Sequence, residues 1–463
     1  MVTSQAVGRR VLQSRLCARP PRGRSTLLYK GPVSALLVTL AGFAAILLLV
    51  RLRVPLALAI GVGSVLLGLG AGLPAAAVAR EAVLGALRPL ALAVLLAVVL
   101  LLTISELMQR SGQMEEIVAL AGASLRRPVL TVAALPALIG LLPMPGGALF
   151  SAPLVASAAG RGGASGELLS AINYWYRHIW EYWFPLYPGV ILAMTLTGSS
   201  LPSFVAFQLP MSVVMAAAGL PLLRRAAPTL PVPDAAAAPP PAGRLARATA
   251  SIWIVLLVWA LVSAALRAAA VGHGGTPLAD TVVRFLPIVA GLLASLAWTA
   301  ASQRLAAPAM LALTVRRLVS PLAGLVVSVM VFQHLLERSG LPPRIAAEMT
   351  ALRLPAVLVV VLLPFIAGLV TGVAFGFVGG SFPIVVGLVA ALPAAPALRP
   401  FAVLAYACGH IGMMASPIHL CYVVSNRFFG TPFGPVYRHL WLPALLTAAG
   451  AAVYFLVLRT AMP

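Results

Sequence analysis

The sequence has few charged residues, and acidic ones are especially rare. Only 9% of its 463 residues are charged, with 32 Lys and Arg against 10 Asp and Glu. Its 61% of hydrophobic residues and mean hydropathy of +1.03 exceed what the core of a water-soluble domain buries. Repeated apolar runs of about 20 residues suit membrane spans instead. The composition therefore predicts an all-α, multi-pass membrane protein.

Lysine and cysteine are also scarce. Lys30 is the only lysine, which excludes phosphate-loop ATPases and lysine Schiff-base enzymes, because both need a lysine within a motif that is absent here. Three cysteines, Cys17, Cys408 and Cys421, do not make a disulfide framework. The patterns HExxH and GxSxG are absent as well, so we expect no enzyme and no cofactor beyond a coupling ion, H⁺ or Na⁺.

The net charge of +22 does not indicate a nucleic-acid partner. The arginines stand at the ends of apolar runs rather than clustered on one polar face, and membrane flanking explains this distribution better. The expected surroundings are therefore a lipid bilayer, interpreted as a prokaryotic plasma membrane. A second copy of the chain, forming a homodimer, is the one protein partner that we keep open.

Charge and proline divide the chain into four segments. Residues 1–30 carry six Arg and no apolar stretch, which predicts a basic disordered tail. Residues 31–222 and 250–463 hold the apolar runs and predict two transmembrane repeats. Between them, 223–249 form an Ala/Pro-rich linker around PDAAAAPPPAG.

The two halves match at short anchors in a constant register of 228 to 232 residues, which indicates a duplication. The matched anchors are LMQRSG (107–112) with LLERSG (335–340), Pro136 with Pro364, Gly140 with Gly368, His178-Ile179 with His410-Ile411, and Pro185 with Pro417. Duplicated halves with matching interrupted helices are the best sequence indication of a secondary-transporter site.

Each half also contains two short apolar arms on either side of a glycine-rich tip. An arm of about 15 residues spans roughly 22 Å as a helix, which is short of the hydrocarbon core of about 30 Å. Each pair of arms therefore predicts a re-entrant hairpin. About five full crossings per half remain, an odd number, so the two repeats are predicted to be inverted. If every arm crosses instead, the chain has up to about fourteen spans, and the membrane orientation stays open.

The stretch NYWYRHIWEYWFPLYPG (173–189) places charged residues inside an otherwise apolar region and then breaks the helix with prolines. Ionisable groups at bilayer depth usually line a cavity or a pathway. Asn173, Arg177 and Glu181 are spaced i, i+4, i+8, so on one helix they share a face, and His178 lies to one side of it. Arg177 presents planar donors that match a carboxylate. The alternative is a buried Arg177–Glu181 pair that only joins two helices.

A second break is predicted at GHIGMMASPIH (409–419), with His410, Ser416 and Pro417 as candidate residues. A proline within a helix frees a backbone carbonyl, which at this depth needs a protein group, water or an ion as partner. Carbonyls and hydroxyls suit Na⁺, whereas His178, His410 or Glu181 would suit H⁺. The equally supported alternative is that His410 only forms a hydrogen bond with a neighbouring helix.

The two tips supply the remaining candidates, because N–H groups at the start of a helical arm form an anion site and glycine lets a ligand approach the backbone. The alternative is that these glycines only allow close helix packing. The candidates are Pro145, Gly146, Gly147 and Ser151 in PMPGGALFSAP, and Thr371, Gly379, Gly380 and Ser381 in TGVAFGFVGGSFP (371–383).

Cys408, His410, His419 and Cys421 superficially resemble a set of metal ligands. Residues two apart on a helix point to nearly opposite sides, so neither close pair chelates an ion unless the helix is broken there. We therefore expect no metal site.

At PMPGGALFSAP, NYWYRHIWEYWFPLYPG and SPIHLCYVV the sequence resembles the uncharacterised membrane family catalogued as domain of unknown function 401, from about residue 33 to the C-terminus. That family resembles the ion transporter superfamily of citrate, dicarboxylate, gluconate and arsenite carriers. The resemblance implies inverted repeats, two re-entrant hairpins, two broken helices and elevator-type alternating access. Dicarboxylate members carry Ser-Asn-Thr motifs at the tips and breaks. This chain has none, which favours H⁺ over Na⁺.

The sequence therefore predicts a secondary active transporter of a small anion, an organic acid, coupled to H⁺ or Na⁺. The alternative from another class is a non-transporting integral membrane protein, either a structural subunit or a membrane enzyme with an unrecognised site. Paired tips and paired breaks favour the transporter.

Overall fold

The computed structural model describes residues 34–124, 128–141, 147–160, 163–230, 242–269, 276–305, 307–392 and 396–462. These residues form α-helices and short connections, and no strand occurs among them. The predicted tail (1–30) and the middle of the predicted linker lie outside the described residues. The flanks of the linker are helical, at Leu220–Ala226 and Ala242–Ala248.

The helices of the first half are α1 (Ala35–Arg51), α2 (Leu56–Gly70), α3 (Ala75–Ala86), α4 (Pro89–Arg110), α5 (Gln113–Ser124), α6 (Pro128–Gly140), α7 (Ala148–Ala159), α8 (Gly166–Arg177), α9 (Pro188–Leu196), α10 (Leu201–Ala218) and α11 (Leu220–Ala226). Those of the second half are α12 (Ala242–Ala248), α13 (Ala250–Ala268), α14 (Pro277–Ser302), α15 (Ala307–Leu318), α16 (Pro321–Ser339), α17 (Leu341–Ala351), α18 (Ala356–Thr371), α19 (Ala374–Ala390), α20 (Leu398–Met414), α21 (Leu420–Phe429) and α22 (Phe433–Ala461).

Within the described chain, six helical segments are long and apolar enough to cross a bilayer. They are α4, α10 with its continuation to Thr229, α13, α14 from Leu278, α16 and α22. Six further apolar helices are shorter, with 10–17 residues. The prediction of an all-helical, multi-pass integral membrane protein is confirmed at this level.

The helices of the two halves follow the same order, so that α1–α10 correspond to α13–α22. Packing between the halves repeats this correspondence. Helix α4 packs on α14, and the equivalent pair α16 and α2 also pack together. Likewise, α7 packs on α21 and α19 packs on α9. Each half therefore makes equivalent contacts with the other, as expected of a duplicated chain.

Each copy of the LMQRSG/LLERSG motif lies at a buried carboxylate that links the halves. Glu81 on α3 contacts His334 Nε2 at 2.9 Å and Arg338 Nε at 3.4 Å, both on α16. In the equivalent helix pair, Glu106 on α4 contacts Arg316 Nη2 of α15 at 3.3 Å. The two carboxylates are 3% and 6% exposed, so these ion pairs join the halves at buried points.

The start of α1 is capped from the second half. Glu348 on α17 accepts hydrogen bonds from Ser34 Oγ at 2.6 Å and from the N–H groups of Ala35 at 2.7 Å and Leu36 at 2.9 Å. Burial alone would raise the pKa of Glu348, but these hydrogen bonds and the charge of Arg344 lower it below its ordinary value. The carboxylate thus satisfies N–H groups that have no partner within the helix.

Helical structure is interrupted at both predicted breaks. Helix α8 ends at Arg177 and α9 begins at Pro188, while α20 ends at Met414 and α21 begins at Leu420. The predicted short arms are also helical. In the first half, α6 and α7 have 13 and 12 residues, which makes each about 20 Å long or less, shorter than a hydrocarbon core of about 30 Å.

The second glycine-rich turn lies earlier in the chain than the sequence indicated. The chain reverses at Gly372 and Val373, where Gly372 adopts a left-handed conformation with φ 64°. Gly379, Gly380 and Ser381 instead lie in the interior of α19. Their prediction as tip residues is wrong, because this helix begins at Ala374 and continues through them.

Candidate functional site

A seam of buried polar side chains runs between α8 of the first half and α21 of the second, and it extends into both breaks. None of these side chains is more than 6% exposed. We call this group the polar seam; its members are Ser170, Asn173, Arg177, His178, His419, Cys421, Ser425 and Asn426.

In its helical part, the seam consists of hydrogen bonds between the two halves. Ser170 Oγ donates to Asn426 Oδ1 at 2.5 Å, and Asn173 Nδ2 donates to Ser425 Oγ at 2.9 Å. Asn173 Nδ2 also lies 3.4 Å from the carbonyl oxygen of Ala148, the first residue of α7. Asn173 Oδ1 and Asn426 Nδ2 have no hydrogen-bond partner among the residues that the structure describes. The seam therefore extends to the start of the short arm α7. It also contains polar atoms that form no hydrogen bond within the described residues.

At the first break, Glu181 lies between two histidines from different halves. Its carboxylate oxygens are 3.8 Å from His178 Nε2 and 4.0 Å from His410 Nε2. These separations are too long for direct hydrogen bonds. Within the part of the chain that the structure describes, both Nε2 atoms lack a hydrogen-bond partner, although each histidine is only 1% exposed.

A proline withholds one backbone N–H at each break. Pro185 has no N–H to donate to the carbonyl of Glu181, four residues earlier, and Tyr406 Oη of α20 donates to that oxygen at 2.7 Å. Pro417 likewise cannot donate to the carbonyl of Met413, but that oxygen accepts from the Ser416 N–H at 3.1 Å and also lies 3.3 Å from His419 Nδ1. The Glu181 carbonyl is therefore bonded by a side chain of the second half, whereas the Met413 carbonyl is bonded within its own turn.

Arg177 is the last residue of α8 and is 2% exposed. Its Nη1 donates to the carbonyl of Ile139 at 3.4 Å, and Tyr187 from the same break donates to the carbonyl of Gly140. The break therefore covers the C-terminal end of α6, next to the first tip.

The predicted helix face shared by Asn173, Arg177 and Glu181 is only partly correct. Asn173 and Arg177 share a face of α8, but the helix ends before Glu181. His178 follows as the C-cap with φ −101°, and the Glu181 N–H bonds to the His178 carbonyl in a turn. Glu181 is thereby turned toward His410 of the second half.

The second tip and the second break lie side by side. A Cβ placed on Gly372 would be 3.0 Å from Ser416 Oγ and 3.1 Å from the His419 nitrogen. Ser416 is fully buried and its hydroxyl has no hydrogen-bond partner in the described part of the chain, while Pro417 is exposed. Thr371, one residue before the turn, bonds back to the Ala367 carbonyl at 2.6 Å.

The predicted tip residues of the first half lie close to the seam. Gly147 is the N-cap of α7 and makes no side-chain cap. Ser151 is fully buried, and its hydroxyl lies 3.4 Å from the carbonyl of Ala148, which Asn173 also contacts. Pro145 and Gly146 lie outside the described residues.

Three predicted residues lie away from the seam, in the interior of α19. A Cβ on Gly379 would overlap Val329 of α16, and one on Gly380 would lie 4.0 Å from Phe43 of α1. Ser381 Oγ donates to the carbonyl of Phe377 in its own helix at 2.5 Å. These residues fit the packing alternative that the sequence left open.

Sequence reasoning missed five of the eight residues of the polar seam. Ser170, Ser425 and Asn426 gave no signal because single polar residues in apolar runs are common. His419 and Cys421 were considered as ligands and set aside as two residues apart on one helix. In the structure His419 precedes α21 as its N-cap, with φ −61° and ψ 119°, so the helix argument does not apply to the pair.

A cavity of about 250 Å³ lies beside the first break, between α9, α10, α13 and α14. Pro185 of the break forms part of its wall, together with Arg267 and Arg284. Arg284 is held by the carbonyls of Met194 at 2.6 Å and Ser199 at 3.1 Å. No member of the polar seam lines this cavity, so the cavity and the seam are distinct places.

The fold and the seam together define the class: a multi-pass helical membrane protein with ionisable side chains buried at two interruptions of its helices. A family model described as "Protein of unknown function (DUF401)" matches residues 33–237 and 277–458. The chain belongs to this family, as the resemblance predicted. No curated protein matches the sequence.

Proposed function

We propose that the protein is a secondary active transporter of a small anion, an organic acid, coupled to H⁺ or Na⁺ and working by elevator-type alternating access. One observation carries this proposal. The breaks of the two halves meet, and they enclose Arg177, His178, Glu181 and His410 away from solvent. Ionisable groups at bilayer depth are costly and usually belong to a substrate or ion pathway.

The incomplete hydrogen bonding of the site supports a binding role over a purely structural one. A cluster that only joins helices should satisfy its buried atoms, because each unmet donor or acceptor costs about 1–3 kcal/mol. Among the described residues, His178 Nε2, His410 Nε2, Asn173 Oδ1 and Ser416 Oγ have no hydrogen-bond partner. These atoms are available to a substrate, an ion or water.

The chemistry near the first tip favours an anion. Arg177 supplies a buried guanidinium with planar donors that match a carboxylate. Within the described residues, the start of α7 at Gly147 has no side-chain cap, and its N–H groups and positive helix end are the proposed binding groups for negative charge. Asn173 connects the two features, because it lies on the face of Arg177 and contacts Ala148.

The architecture supports alternating access between two inverted repeats. The short arms α6 and α7 and their equivalents α18 and α19 are the re-entrant hairpins in this proposal. The equivalent contacts that the halves make with each other are those expected of repeats related by a pseudo-twofold axis. H⁺ is the favoured coupling ion, because Ser-Asn-Thr motifs are missing while buried His and Glu side chains are present.

A thermal-shift screen of the purified full-length protein against organic and inorganic anions, with and without Na⁺, tests binding. We expect at least one organic acid to stabilise the wild type and the control Arg267→Gln, whose arginine lines the separate cavity. The double variant Arg177→Gln, Glu181→Gln should fold without this stabilisation. Wild-type stabilisation of the double variant would remove Arg177 from the anion site.

The alternative is a non-transporting membrane protein, and one observation favours its enzymatic form. The Cys421 sulfur lies between His178 and His419, an arrangement that also suits a nucleophilic thiol. A hydrolase or acyltransferase of this kind would form a covalent adduct on Cys421 with an acyl substrate. Mass spectrometry of protein treated with acyl thioesters distinguishes this reading from a transporter, which forms no adduct.

A further inference from the structure

Three potential metal ligands converge where the two breaks meet. His178 from the first break, His419 from the second and Cys421 from the start of α21 present ligating atoms that all lie within 4.8 Å of one another. The three side chains are 1%, 6% and 6% exposed. They come from both halves, so this convergence depends on the tertiary structure and not on local sequence.

Backbone carbonyls hold one ring nitrogen of each histidine. His178 Nδ1 lies 2.6 Å from the carbonyl oxygen of Tyr174, and His419 Nδ1 lies 3.3 Å from that of Met413. A carbonyl accepts only, so Nδ1 carries the proton and Nε2 keeps its lone pair. Metal-binding histidines are typically oriented by such an outer hydrogen bond. His178 Nε2 has no hydrogen-bond partner in the described structure.

The distances allow tetrahedral coordination after a small movement. With Zn–N of about 2.0–2.1 Å and Zn–S of about 2.3 Å, ligand atoms in a tetrahedral site are about 3.3–3.7 Å apart. Atoms that already lie within 4.8 Å need to approach one another by at most about 1.5 Å around an ion. Glu181 Oε1 lies 3.8 Å from His178 Nε2 but outside this group of three, so the fourth position is left to water or another small ligand.

We infer that His178, His419 and Cys421 form a binding site for a thiophilic transition-metal ion of the zinc class, which joins the two helix breaks. Two imidazoles and a thiolate select such ions over Mg²⁺ and Ca²⁺, which prefer oxygen ligands. On binding, the Cys421 S–H bond is replaced by a metal–sulfur bond, and the proton leaves to solvent. The inference does not depend on transport, because it rests on ligand geometry alone.

The test uses the purified full-length protein, stripped with a chelator and dialysed. It is titrated with Zn²⁺ against a chromophoric competitor, and separately with Co²⁺ to record the thiolate-to-cobalt charge-transfer band. We expect one ion per chain in the wild type and in the matched control Cys408→Ser, whose sulfur lies outside the ligand set. Cys421→Ser and His419→Gln should weaken binding by more than the roughly 10–100-fold that loss of an outer-shell partner costs.

A second measurement covers the case in which the ligand variants do not fold. In a Cys17→Ser, Cys408→Ser background, where Cys421 is the only thiol, Zn²⁺ should slow alkylation by a maleimide, and Mg²⁺ should not. Zn²⁺ binding that is unchanged by Cys421→Ser, or alkylation that Zn²⁺ does not slow, would overturn the inference. The absence of Zn²⁺ and Co²⁺ binding by the wild type would overturn it as well.

Discussion

At the first break, Pro185 determines that one backbone carbonyl remains available for a side chain. The Glu181 carbonyl is left open by Pro185 and bonds to Tyr406, a residue 225 positions later in the chain. An open carbonyl at bilayer depth requires such a partner. A local feature of the sequence thus leaves a backbone carbonyl without its helical hydrogen bond, and a side chain of the other half of the molecule donates to it.

The sequence indicates the breaks but not their partners. Pro185, Pro188 and Pro417 predict both interruptions from elementary backbone chemistry. Nothing in the sequence pairs Asn173 with Ser425, because the seam joins α8 to α21 and these helices are not equivalent in the two repeats. For the same reason the ligand geometry of His419 follows from where α21 begins, which tertiary contacts decide.

Gly140 at the end of α6 should tolerate no larger side chain. A Cβ there would overlap the Arg177 carbonyl oxygen, and backbone atoms cannot move aside as a side-chain end can. We expect Gly140→Ala to lower stability by about 1–3 kcal/mol, the usual cost of overpacking, measured as a lowered midpoint of unfolding in detergent.

The matched control for this prediction is Gly61→Ala in α2, where a Cβ would meet nothing within 4 Å. Because alanine is the better helix former, that change should be neutral or stabilising by up to about 1 kcal/mol. Equal stability of the two variants would contradict the close packing of α6 against the first break.

At the scale of elements, the apolar runs of the sequence predict most of the helices. They do not predict where the second tip lies. The sequence placed it near the Gly379-Gly380 pair, because glycine pairs mark turns as well as close packing. The structure uses Gly379 to bring α19 against Val329 of α16 and turns the chain at Gly372. Which role a glycine has depends on a neighbouring helix that local sequence cannot identify.

The cap on α1 makes one element sensitive to pH. The folded-state pKa of Glu348 is lowered, so its contribution to stability is present above the unfolded value near 4.5 and is lost as pH falls through the folded pKa. We expect Glu348→Gln to lower the midpoint of thermal unfolding at pH 7, by an amount that corresponds to about 0.5–2 kcal/mol for a lost cap.

The difference between Glu348→Gln and wild type should shrink when unfolding is measured at pH 4 and below. Glu116→Gln, on a carboxylate that lies 3.9 Å from Arg244 at the surface, is the control and should change little at either pH. A deficit of Glu348→Gln that is constant with pH would show that the carboxylate charge does not stabilise the cap.

At the scale of the whole molecule, the duplication is readable from the sequence through a handful of anchors in constant register. The helix order of α1–α10 and α13–α22 agrees with it. How the halves interlock, with α4 on α14 and α16 on α2, is a property of tertiary packing that no single anchor encodes. The apolar surface available to both lipid and partner helices makes such pairings ambiguous in sequence.

Inverted repeats make a prediction about topology. In a cysteine-free background, single cysteines at Met144 in the first tip and at Val373 in the second should react with an impermeant maleimide from opposite sides of the membrane. Val373 is suitable because its side chain is 43% exposed. A cysteine at Gly430, where a Cβ would meet nothing within 4 Å, serves as the accessible control. Labelling of both tips from one side would rule out the inverted arrangement.

The most direct test of the central claim is uptake into proteoliposomes. An organic acid that stabilises the protein is supplied outside, with an imposed pH gradient or Na⁺ gradient as the only driving force. The account predicts accumulation above equilibrium with the wild type and with Arg267→Gln, driven more by the pH gradient, and no accumulation with the Arg177→Gln, Glu181→Gln double variant. Wild-type vesicles that never exceed equilibrium under either gradient, for any acid that binds, would contradict the account.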